Sequence, residues 1–221
     1  MRNYMKGLLI KDFMLLKNQK SSLLIVAVIA VAMTAYLENT SFLIAYLAFI
    51  GSQFARNTIS YDDFDNGNAF LFSLPVTRKS YAAEKYAFGL LVGGGGWLFG
   101  SGAAIIAGMV KGTVSPVDTL MIALLTFPML LVLIAISVPF HLKFGAEKSG
   151  IAMIVIGFLL VAAFMLAARL TKAANLDLTA LTDMLPAMNT TSAVLAGFIA
   201  GTVILLISLW VSIGIMQKKE F

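Results

Sequence analysis

The 221 residues contain no cysteine, one histidine, five prolines and only 12% charged side chains. Without cysteine there is neither a disulfide framework nor a thiolate metal site. His141, beside Lys143, has no second imidazole and no carboxylate cluster nearby, which makes it a poor metal ligand. An HExxH zinc motif is absent, and no Ser/His pairing can be singled out from the sequence. The shortage of charge is the most restrictive absence. A soluble domain carries about a quarter of its residues as Asp, Glu, Lys and Arg, because its surface faces water.

What stands in place of charge is hydrocarbon. The chain is 60% hydrophobic, with a mean hydropathy of +0.92. Its apolar residues fall in runs close to the roughly 20 residues needed to cross about 30 Å of bilayer. The expected fold is all-α, a polytopic membrane protein of one domain, 1–221, with six transmembrane helices. Residues 21–59 hold the first two spans, a hairpin turning at Glu38-Asn39-Thr40-Ser41, with Arg56 near the end of the second. Residues 60–85 form a polar stretch, 86–168 hold spans three to five, and 191–216 the sixth. The run after Lys20 has no clear small-residue cleavage site and is read as a retained helix.

The net charge of +5 does not mark a nucleic-acid partner, because the basic residues sit in short clusters between apolar runs. With six spans, thirteen Lys and Arg fall on the side of the termini, and only Lys111, Arg169 and Lys172 on the other. By the positive-inside rule both termini are then cytoplasmic, and the surrounding bilayer is the cell membrane.

Two further segments carry helical signals. In residues 1–20 Met5, Leu8, Leu9, Phe13 and Leu16 form an imperfect apolar stripe beside Lys6, Lys11, Lys17 and Lys20. That pattern suits a helix lying in the inner interface, the alternative being a short cytoplasmic extension of the first helix. In residues 169–190, Leu178, Leu181 and Leu185 have helical spacing after Asn175 and Asp177, and Pro186 ends the pattern. Short helices on the outer face are expected there.

Motifs of catalysis or cofactor binding fail one by one. YDDFDNGNAF is placed like a calcium loop around Gly67, but Phe64 and Ser73 occupy ligand positions they cannot serve, so it reads as a solvated acidic turn. Gly93-Gly94-Gly95-Gly96 lies inside an apolar span and no Walker A pattern exists, so it is not a phosphate cradle. Gly89/Gly93, Gly96/Gly100 and Gly197/Gly201 instead have the small-xxx-small spacing of close helix contacts; a hinge at the tetraglycine is the alternative. The span centres hold no Asp, Glu, Lys or Arg, so proton coupling lacks its usual groups. The chain reads as no enzyme.

The stretch AFLFSLPVTRKSYAAEKY and the N-terminal LLIKDFMLLKNQ resemble the permease subunits of ABC-2 type exporters. Six spans, internal termini and a structured segment before the last span are similar to the same family along nearly the whole chain. The compact form resembles the small permeases of bacterial peptide exporters, such as the phenol-soluble modulin exporter. The resemblance implies a pair of permeases, identical or homologous, above a dimer of separate ABC ATPase subunits that bind ATP and Mg. Residues 1–20 would be the elbow helix and 60–85 the coupling segment.

Leu71, Phe72, Leu74, Pro75, Val76, Thr77, Arg78 and Lys79 would meet the ATPase, with Lys143, Glu147 and Lys148 as a second contact. For Arg78 and Lys79, plain interfacial anchoring is the simpler reading. The path would run between permeases, with Ser52, Gln53 and Asn57 lining it. An apolar, Met-rich wall suits amphipathic peptides or other hydrophobic cargo. A different class competes: a membrane sensor or immunity protein that binds a partner and moves nothing.

Overall fold

The computed structural model describes residues 2–37, 39–64, 67–173 and 190–219; for 2–4, 146–147, 152–154, 156–173 and 190 it describes the backbone alone. Every regular element among the described residues is a helix. They are α1 (Arg2–Asn18), α2 (Lys20–Tyr36), α3 (Ser41–Asp63), α4 (Gly67–Ser73), α5 (Arg78–Lys111), α6 (Pro116–Ala173) and α7 (Thr190–Lys218).

Three helices are long and apolar enough to cross a membrane by themselves: α5, the arm Pro116–Gly145 of α6, and α7. The pair α1–α2 makes a fourth if it counts as one span bent by 68°. Arg56, Asp62 and Asp63 dilute the apolar character of α3, and α2, at 17 residues, is short for the hydrocarbon by itself. No residue of α2 is buried. A helix that is apolar on every face yet uncovered has lipid or another chain as its proper solvent.

α6 is one element bent at Gly145, where φ is +72°. A Cβ there would lie 2.6 Å from the Asp63 carboxylate, so both the left-handed backbone and the close approach require glycine. The stretch 141–148 is therefore a bend within helix, with helical backbone on both sides of Gly145. The segment 174–189, where outer-face helices are expected, lies outside the described residues.

α3 and α5 pack along a seam of small residues. A Cβ on Gly89 would lie 3.2 Å from the Ala55 Cβ, and one on Gly93 3.3 Å from the Ser52 nitrogen. Gly96 meets the Leu47 carbonyl, Gly100 lies against Ile44, and Gly51 of α3 answers from the other side against Val92 and Gly93. Gly94 and Gly95 face open space, and the helix runs through all four glycines without a break. On α7, Gly197 and Gly201 seat Pro128 of α6. Polar bonds tie the same helices: Tyr86 Oη shares hydrogen bonds with Ser208 (2.6 Å) and Ser212 (2.8 Å), and Trp97 Nε1 donates to the Ala123 carbonyl at 2.8 Å.

α5 also closes its neighbours' ends. Lys111, at one end, donates to the Leu37 carbonyl (2.9 Å) behind α2. Arg78, at the other, lies against the last carbonyls of α7. A cation at a helix C-terminus satisfies orphan carbonyls and complements the helix dipole.

Candidate functional site

The end of the bundle that gathers most of the lysines also gathers acidic groups from three helices. α1 brings Lys11 and Asp12, α3 brings Thr58 and Asp62, and α5 brings Tyr81, Glu84 and Lys85. Lys85 is the centre. Its ammonium lies 2.5 Å from Asp12 Oδ2, 2.8 Å from Asp62 Oδ2, 3.2 Å from Thr58 Oγ1 and 3.5 Å from Glu84 Oε2. Lys11 pairs with Asp62 and, at 2.8 Å, with Asp12. Tyr81 donates to Asp62 Oδ2 at 3.1 Å.

Asp12, Glu84 and Lys85 are fully buried, and Asp62 nearly so. Charges removed from water this completely persist only when paired. Burial acts to raise the Asp12 carboxyl, which belongs to polar α1 outside the three spans. The ammonium groups of Lys85 and Lys11 outweigh it and hold that carboxyl below its usual range.

This overturns two readings of the sequence. The acidic run at 62–65 is not a solvated turn at its start, because Asp62 is 9% exposed and ion-paired. Asp63 also has partners, accepting from Asn68 (2.8 Å) and facing Lys219 at 3.4 Å. Lys85, counted among the surface cations that set orientation, is instead an internal group. The only sequence signal was its position: one residue before the apolar run that opens at Tyr86, where a helix still faces its neighbours.

Above this cluster lies the stretch expected to meet an ATPase. α4 ends in a turn in which the Val76 nitrogen donates to the Leu74 carbonyl at 2.6 Å across Pro75. Thr77 then caps α5, its hydroxyl accepting from the Ser80 nitrogen at 3.1 Å. Leu71 is buried in the core, and Phe72 packs edge-on to Tyr81 with ring centroids 5.5 Å apart. Arg78 stacks over Phe72 and donates to the carbonyls of Met216 and Gln217, each at 3.0 Å, and to that of Lys219. These three residues hold the fold together.

The surface is made by others: Leu74, Pro75, Thr77 and Lys79 are exposed, Val76 half-buried. Phe64 and Phe70, which sequence reasoning passed over, are exposed by 77% and 72%. Lys143 and Lys148 are exposed on either side of the Gly145 bend, and the Glu147 side chain lies outside the described set. The bend touches Asp63, so the two expected contact regions adjoin.

The polar trio of α3 divides. Ser52 is fully buried against α5 and donates to the Phe49 carbonyl at 2.7 Å. Gln53 and Asn57 are half-buried, and Gln53 reaches Ser52 Oγ at 3.4 Å. One catalytic-looking pair does occur: Ser149 Oγ lies 2.9 Å from His141 Nε2, buried within α6. Its His141 Nδ1 has no hydrogen-bond partner among the described residues, so no acidic third member orients the ring. Among the described residues no group of three His, Cys, Asp or Glu could hold a metal.

A family model described as "ABC-2 family transporter protein" matches residues 7–217. No curated protein and no solved structure matches the chain. The match runs from the elbow-like α1 to the last turn of α7 and so takes in the ionic cluster, the α4 turn and the glycine seam. The chain therefore belongs to the ABC-2 transporter family, as a membrane permease that works with an ABC ATPase subunit.

Proposed function

We propose that this permease is the conducting half of an ATP-driven exporter of amphipathic peptides or other hydrophobic cargo, and that it works as a permease dimer. In this reading six helices span the cell membrane, both termini are cytoplasmic, and α1 lies along the inner interface. ATP and Mg bind only in the partner ATPase, and this chain carries out no catalysis. The observation that carries the reading is the layering at the basic end. Exposed Phe64, Phe70 and Leu74 sit over a buried ionic cluster that joins α1, α3 and α5. A partner pressing on the α4 turn thereby pushes on three helices at once. Gln53 and Asn57 of α3 are the polar positions proposed to line the path.

The test is co-purification with the partner ABC ATPase subunit. Phe70→Asp and Leu74→Asp each remove an exposed apolar anchor, and each is expected to lower ATPase retention at least tenfold, as for a buried interface anchor. Both variants should retain the parent's thermal unfolding midpoint. Retention equal to the parent's in both would remove the docking assignment. Arg78→Asp is a poor probe, because Arg78 closes the end of α7.

A further inference from the structure

We propose that the groove between the last turns of α7 and the end of the first arm of α6 is a binding site for one anionic phospholipid. The groove has a volume of about 630 Å³ and a mostly apolar wall that includes Trp210 and Ile213, with Lys143, Gln217 and Lys218 among its polar residues. A second cleft of about 340 Å³, walled by Pro139, Phe140 and Phe144, opens beside it. Lys143, Val211 and Ile215 line both, so the two slots adjoin along a shared wall that carries one lysine. Two adjoining apolar slots that share a cation match two acyl chains that share a phosphate.

The charge pattern agrees. Lys143 and Lys218 are exposed at the mouth, and Lys219 borders it while facing Asp63. The Lys143 ammonium lies 5.3 Å over the Phe144 ring, which orients it across the junction. Trp210 lies eight residues before Lys218, about 12 Å along the helix, at the depth where an interfacial aromatic gives way to acyl chain. Basic pockets between spanning helices on the cytoplasmic side hold anionic headgroups, and each lysine near the surface is worth about fivefold in affinity. The site shares Lys143 with the second expected ATPase contact, and its cytoplasmic placement rests on the orientation proposed above; its test uses the permease alone, without ATPase or cargo, so its failure is distinguishable from failure of the docking assignment.

The full-length chain in phosphatidylcholine nanodiscs, with Trp97→Phe leaving Trp210 as the sole tryptophan, supplies the readout. Brominated phosphatidylglycerol should quench Trp210 about fivefold or more strongly per mole than brominated phosphatidylcholine. Lys143→Gln/Lys218→Gln changes two exposed side chains and should erase that preference while leaving helicity unchanged. Equal quenching by the two lipids in the parent means an ordinary annular lipid and overturns the proposal. Preference surviving in the double variant overturns it as well. So does protection of Trp210 by a second copy of the chain, detected as a cross-linked dimer through position 210, or displacement of the lipid by inorganic phosphate alone.

Discussion

The glycine seam and the ionic cluster are two ways of holding α3 against α5, and they obey opposite rules. In the seam the two backbones touch because there is nothing between them: Gly51 and Gly96 admit no side chain without displacing main chain, and Gly93 lies close to the Ser52 backbone and the Leu130 side chain. Dispersion and close approach supply the attraction, as they must where lipid is as apolar as the protein. In the cluster one long side chain, Lys85, fills the gap, pairing closely with Asp12 and Asp62 and lying 3.5 Å from Glu84, so that it faces carboxylates from three helices. The seam tolerates no addition. The cluster tolerates no subtraction.

The largest expected effect falls on the cluster. Lys85→Met leaves Asp12, Asp62 and Glu84 buried around an apolar side chain, and should destabilise the protein by about 3–5 kcal/mol. Thermal unfolding in detergent, followed by tryptophan fluorescence, reads this. The double variant Asp12→Asn/Lys85→Met should recover part of the loss, since paired groups do not add. A loss under 1 kcal/mol would mean that Lys85 reaches water and that the cluster is no internal clamp.

Next comes the seam. Gly96→Val drives a branched side chain onto the Leu47 carbonyl, which no rotamer change can move aside, and should cost about 1–3 kcal/mol in the same assay. An unchanged midpoint would show that α3 and α5 are not in contact there. The smallest effect, with the opposite sign, is expected at the neighbouring glycine. Gly94→Ala points into open space within a continuous helix, and should stabilise it by up to about 1 kcal/mol through helix propensity. Marked destabilisation would mean that this face is covered by another chain, as in a permease dimer.

The two regions were not equally legible. Gly89, Gly93, Gly96 and Gly100 stand out in the sequence because one helix face recurs every three or four residues, and the structure places all four against α3 or α6. Their partner Gly51 had no matching glycine at that spacing and gave no signal. The cluster left almost none. Positions 12, 62 and 85 are far apart in the chain, and a lysine beside an apolar run looks the same whether it anchors to lipid phosphate or sits among carboxylates. Around the α4 turn, leucine and phenylalanine content marked an apolar segment, but not which of Phe70, Leu71, Phe72 and Leu74 turned outward. In a seven-residue helix followed by a proline turn, that is decided by where Tyr81 and the core lie.

The amino-acid sequence by itself determined residence in a membrane, the all-helical structure of the described residues, the lack of thiol chemistry, and the likeness to ABC-2 permeases. These follow from composition, run length and short motifs, quantities that add up along the chain without reference to its folding. Only the tertiary structure decided that Lys85 and Asp62 are internal, that Arg78 closes α7, and that Phe64, Phe70 and Leu74 form the outer surface of the α4 region. The reason is dielectric as much as geometric. A charge is an anchor in water and a clamp in the interior, and which it becomes depends on neighbours brought there by packing.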